Sequence, residues 1–132
     1  MLYNRKEAFR HTFKNPIPAT FQLIVEGEKE DEVEFSNKGA CLIVDLSPSG
    51  IRIYSKLDIP KRPGYPIHLA IEVLLTDVPI KLVGDLVWKK AYMDGHQYGI
   101  DLKTDEKIEF QIIQELKERR RLELIETKKS NK

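Results

Sequence analysis

Two short stretches of this chain carry side chains suited to gripping an anion. The first, Arg5-Lys6-Glu7-Ala8-Phe9-Arg10-His11, sets three cations close together near the amino end. The second, Asp45-Leu46-Ser47-Pro48-Ser49-Gly50, joins a carboxylate, two hydroxyls and a glycine around a proline. A guanidinium presents a planar fork of donors that fits phosphate or the O6/N7 edge of guanine, and its flat face stacks on a base. A carboxylate at a strand end accepts from a base or holds an arginine in place. Serine adds a short donor, and glycine lets the backbone approach a ligand closely. Arg5, Lys6, Arg10, Asp45, Ser47 and Gly50 are therefore the candidate binding residues, and together they suit an anionic, purine-bearing ligand. Each stretch also has a plain structural reading. Asp45 and Ser47 can cap backbone groups in a tight hairpin, and a basic cluster near a terminus is commonly a solvated end.

Catalytic chemistry has no comparable support. His11, His68 and His96 are scattered without metal-ligand spacing, and no nucleophile elbow, phosphate loop or dinucleotide fingerprint is present. The single cysteine, Cys41, lies in an apolar run, where a buried inert thiol is expected. The reading is a non-enzyme with no cofactor and no metal.

The elements that must position these residues follow from composition and period. At 132 residues, with 22 Lys+Arg, 21 Asp+Glu and a net charge of +1, the chain has the size of one domain. The lone cysteine rules out an internal disulfide and fits a reducing, cytoplasmic setting. No apolar run reaches the roughly 20 residues that span a bilayer, and residues 1–7 lack a signal peptide's apolar stretch. The neutral balance argues against a duplex nucleic-acid binder. It hides segregation, however. Residues 1–14 hold Arg5, Lys6, Arg10 and Lys14 against Glu7 alone, residues 26–34 hold six acids and one lysine, and residues 119–132 hold six Lys/Arg and two Glu. The acidic block reads as a loop between strands and residues 127–132 as a disordered tail.

Ile17 to Val25, Gly39 to Leu46, Ile51 to Tyr54, Ile67 to Leu75, Ile80 to Lys89 and Gln97 to Leu102 read as short strands. Pro48-Ser49-Gly50, Lys61-Arg62-Pro63-Gly64 and the hairpin signal Asp94-Gly95 separate them. Trp88 offers a stacking platform, but its parity with Leu82 and Leu86 favours the core or its rim. After Thr104-Asp105 the period changes. Ile108, Ile112 and Leu116, with Ile113 and Leu124 one position off, mark an amphipathic helix with a Thr or Asp cap. The expected fold is all-β with a C-terminal helix: a small six-stranded antiparallel barrel capped by one long α-helix, whose charged second half projects. The expected organisation is a single domain over 1–126. It comprises an N-terminal clamp segment (1–16), the barrel (17–103) and the helix (105–126).

In these motifs the sequence resembles the PilZ domain family, small β-barrels that sense the bacterial second messenger cyclic di-GMP. The family pattern is Arg-x-x-x-Arg in an N-terminal loop followed by Asp/Asn-x-Ser-x-x-Gly. Asp45, Ser47 and Gly50 match the second motif. Arg5 and Arg10 fall on the outer arginines of the Arg-Arg-x-x-x-Arg form of the first, with Lys6 in place of its middle arginine. Gly84-Asp85-Leu86-Val87-Trp88 and Tyr98-Gly99-Ile100-Asp101-Leu102 resemble the family's later strands, so the resemblance runs from about Arg5 to Leu116. It implies a bacterial cyclic di-GMP receptor in which Arg10 contacts guanine or phosphate and Arg5 contributes from the same loop. Asp45 and Ser47 would bind a guanine edge, with Gly50 shaping the turn. Ligand binding would order the N-terminal segment, and an unidentified downstream protein would read the changed surface.

Lys6 keeps the charge but lacks the fork, which supports the alternative of a degenerate PilZ adaptor acting by protein contacts without the nucleotide. An RNA-binding barrel ranks last, because no surface stripe of aromatic residues is evident for base stacking. Neither a nucleic-acid polymer nor membrane insertion is expected. Leu122 and Ile125 extend the helix's apolar seam beyond what a small barrel covers, which leaves homo-oligomerisation through the helix open.

Overall fold

A computed structural model describes residues 10–26 and 33–130 of the chain. Arg5 and Lys6, and most of the acidic block, lie outside the described residues. Seven strands precede one helix: β1 (His11–Glu26), β2 (Val33–Phe35), β3 (Gly39–Leu46), β4 (Gly50–Ser55), β5 (His68–Leu74), β6 (Pro79–Tyr92), β7 (Gly95–Leu102) and α1 (Glu106–Ser130). All pairings are antiparallel and run β1-β3-β4-β7-β6-β5, and β5 returns to β1 through Ala19–Ile24. Six strands thus close a barrel, and β2 is a short addition to the end of β1.

The alternating apolar residues of each strand fill the interior. Ile43, Leu46, Ile53, Leu69, Ile71, Leu82 and Tyr98 are fully buried. Tyr98 keeps its hydroxyl satisfied there, donating to the Leu57 carbonyl (2.7 Å) and accepting from the Ile59 amide (2.8 Å). Cys41 is buried as expected, and desolvation pushes its thiol up to about 12, far from a reactive thiolate. The carboxylate of Asp105 caps α1 by accepting from the Ile108 amide at 2.8 Å, and Ile112 and Leu116 enter the barrel core.

Three local features depart from the sequence reading. β1 begins at His11 rather than Ile17, because His11 and Thr12 pair with Leu46 and Asp45 before the register shifts around Lys14-Asn15-Pro16. The β6–β7 turn is Met93-Asp94, one residue earlier than expected, with Met93 at φ 51°. Gly95 is already strand, where a Cβ would overlap the Ser55 carbonyl. Asp94 is pinned by the Tyr54 hydroxyl and by Lys56, which together hold its carboxyl below the usual range. Finally, α1 runs on to Ser130, and its second half does not simply project, as the contacts of Glu123 described below make clear.

Candidate ligand site

The β3–β4 hairpin builds one wall of the site. Its turn closes through Ser47 N–H to the Gly50 carbonyl (2.8 Å) and Gly50 N–H to the Ser47 carbonyl (3.4 Å). The Ser47 hydroxyl turns inward, accepting from Gly50 N–H at 3.1 Å and lying 3.3 Å from the Gly50 carbonyl. Ser47 is fully buried and holds the turn, whereas Ser49 lines the adjoining cleft. Leu102 N–H donates to the Ser49 carbonyl at 2.9 Å, which ties the turn to β7.

Asp45 sits opposite Thr12 on β1 and Arg52 on β4. Its side chain is 3% exposed, and each oxygen carries a guanidinium: Oδ1 pairs with Nη1 of Arg10, and Oδ2 with Nη2 of Arg52 at 2.5 Å. A carboxylate this buried is costly without such partners. Its partners stay accessible, with side-chain exposures of 45% for Arg10 and 36% for Arg52. Asp45 therefore fixes two partly exposed guanidinium groups side by side. The Nε of Arg52 is buried without a hydrogen-bond partner among the described residues. Gly50 permits the arrangement, since a Cβ there would lie 3.3 Å from Nη2 of Arg10 and 3.4 Å from the Ile100 carbonyl.

Beside these groups lies a cleft of about 440 Å³, lined by Arg10, Asp45 and Gly50 and, across it, by Trp88, Gly99 and Asp101. That size suits a small ligand. Trp88 enters through a β-bulge. The register between β6 and β7 shifts between Leu86 and Trp88, which breaks the parity shared with Leu82 and Leu86. The indole is 39% exposed and rests against Gly99, where a Cβ would overlap its Nε1. The cleft thus combines paired guanidinium donors with an aromatic surface.

Of the six residues singled out in the sequence, Arg10, Asp45 and Gly50 meet in this cleft, and Ser47 lies behind it in the turn. Arg5 and Lys6 fall outside the described residues. Arg52, Ser49, Gly99 and Asp101 were not anticipated as site residues. Arg52 was legible in principle, because a hairpin turning at Ser47–Gly50 sets it opposite Asp45. Trp88 required the bulge. Among the described residues no group of three or more potential metal ligands occurs.

Comparison with known proteins bears on the same residues. No curated protein matches the chain, but the sequence profile of the PilZ domain matches residues 4–119, which include both motifs, all six barrel strands and the first half of α1. With its barrel, its helix and its two motifs accounted for, the chain belongs to the PilZ domain family, a family of cyclic di-GMP receptors and adaptors.

Proposed function

We propose that this protein is a cyclic di-GMP receptor without catalytic activity, with the ligand held in the cleft between the β3–β4 hairpin and Trp88. The observation that carries this reading is the pair of guanidinium groups, Arg10 and Arg52, fixed on a buried Asp45 within a cleft that also exposes an indole. The ligand carries two phosphodiester charges and two guanines. Arg10 and Arg52 supply forked donors to phosphate or to a guanine O6/N7 edge. Trp88 supplies a stacking face, an interaction worth about 1–3 kcal/mol per base.

Both oxygens of Asp45 are engaged by arginine, so in this chain it acts chiefly by orienting them. Asp101, exposed on the rim, is the carboxylate able to accept from the N1–H and N2–H of guanine. Ser47 and Gly50 preserve the turn against which the ligand lies. Arg5 and Lys6 then close over the bound nucleotide and complete the neutralisation of its phosphates. The surface so formed is what a downstream protein reads, an order change coupled to ligand charge.

Calorimetric titration of the purified chain tests the proposal. Saturable heat at tens of micromolar cyclic di-GMP is expected, weakening with added salt. Arg10→Ala should lower affinity roughly ten- to a hundredfold, the equivalent of one bidentate contact of about 1–3 kcal/mol. Its fold should persist, because Arg52 still neutralises Asp45. An absence of heat and of any thermal shift for the parent protein would refute the receptor reading and leave the nucleotide-independent adaptor, which the lysine at position 6 favours.

A further inference from the structure

We propose that the second half of α1 is a latch on the ligand clamp, with Glu123 acting through His11 to position Arg10. This rests on the receptor reading for its ligand consequence, though the contact itself does not. The helix is anchored in the core by Ile112 and Leu116, and beyond them no residue from 117 to 126 is fully buried. Glu123 is nevertheless only 15% exposed. Its Oε2 lies 3.2 Å from Nε2 of His11, 112 residues away in sequence, whose side chain is 18% exposed. Arg119, one turn earlier on the helix, brings its Nε to 3.5 Å from the other carboxylate oxygen. On its other side the His11 ring packs edge-on against Phe13, with centroids 4.8 Å apart, and Phe13 belongs to the core. His11 is thus held by the helix, by the core and by its ladder pairing to Leu46.

The next residue toward the amino end is Arg10. Adjacent Cα atoms are about 3.8 Å apart, so fixing His11 limits where the Arg10 backbone can go and keeps its guanidinium over Asp45. The other end of α1 reaches the β3–β4 turn beside the same cleft. The Thr104 hydroxyl, just before the helix, lies 3.1 Å from the Pro48 carbonyl in the hairpin turn and 3.1 Å from Oε1 of Glu109 in the first turn of α1. One helix therefore braces two parts of the site: the turn carrying Gly50 through Thr104, and the segment carrying Arg10 through Glu123. Linkage is reciprocal. A latch that strengthens ligand binding is itself tightened by the ligand, so occupancy of the cleft is reported along the outer half of α1.

The test uses the full chain with Glu123→Ala and Glu123→Gln, below the melting transition of all three proteins. Binding of cyclic di-GMP is followed through the emission of Trp88, the one tryptophan. Without nucleotide, trypsin cleavage after Arg10 is followed by mass spectrometry. Glu123→Ala is expected to weaken binding roughly fivefold or more and to speed cleavage after Arg10. Glu123→Gln, whose amide oxygen still accepts from imidazole, is expected to recover much of both. A parent that titrates with nucleotide alongside a Glu123→Ala variant of equal affinity would overturn the latch and spare the receptor reading. A parent that does not titrate would overturn the receptor reading, and the cleavage rates would then decide the latch alone, equal rates refuting it.

Discussion

At the residue scale the arrangement turns on Asp45. A carboxylate in a barrel wall is tolerated only when its charge is met, and here Arg10, just ahead of β1, and Arg52 on β4 meet it. The two guanidinium groups are not equivalent. Arg10 comes from the edge of a motif visible in the sequence, whereas Arg52 sits mid-strand on β4 and carries a buried Nε without a partner among the described residues. Arg52 thereby takes a share in ligand binding that the family motif does not assign to it. Arg52→Ala should therefore weaken cyclic di-GMP binding about tenfold or more, the equivalent of at least one charge-assisted contact. Arg52→Lys should recover only part of this, since an ammonium neutralises Asp45 but lacks the fork. Titration calorimetry on the two variants checks both statements, and an Arg52→Ala protein with parental affinity would remove Arg52 from the site.

At the scale of elements, the site depends on two irregularities in otherwise regular strands. The bulge between Leu86 and Trp88 moves the indole off the interior face, and Gly99 opposite leaves room for it to lie flat. Gly99→Ala should displace Trp88, shifting its emission and lowering ligand affinity several-fold, while the β4–β7 ladder through Ile53–Tyr98 and Ile51–Ile100 holds the barrel together. Unchanged emission in a folded Gly99→Ala protein would show that the indole does not rest there. These irregularities also mark the limit of what the sequence discloses. Alternation of apolar residues is enough to read β4 and the shared face of Tyr98, Ile100 and Leu102 in β7, because burial on one face imposes period two, while β3 and β5 read as short apolar runs. The same alternation drew Trp88 toward the core rather than the exposed stacking position, since one inserted residue inverts parity and leaves no trace in composition. The β6–β7 turn was displaced by one residue for a related reason. Gly95 is required by close approach to Ser55 rather than by turn geometry, and the left-handed position falls on Met93 instead.

At the scale of the whole molecule, charge and topology combine. The near-zero net charge of +1 conceals a basic amino end, and the barrel brings Arg10 against the Asp45 hairpin through the first residues of β1. This convergence could not be read from spacing alone, because Arg10 and Asp45 are 35 residues apart and meet only when β1 pairs with β3. The same pairing sets His11 where the far half of α1 can reach it, so the start of β1 and the outer part of the helix are in contact. The family resemblance carried the order of the motifs and the helix, the hairpin register implied Arg52 opposite Asp45, and the contact of Glu123 with His11 emerged only from the folded chain. The most direct test of the central claim is the crystal structure of the full chain grown with cyclic di-GMP. The account predicts the nucleotide in the cleft beside the β3–β4 hairpin, with Arg10 and Arg52 donating to phosphate or guanine O6/N7 and a base stacked on Trp88. A nucleotide bound elsewhere on the barrel, with the Arg10–Asp45–Arg52 cluster untouched, would contradict it.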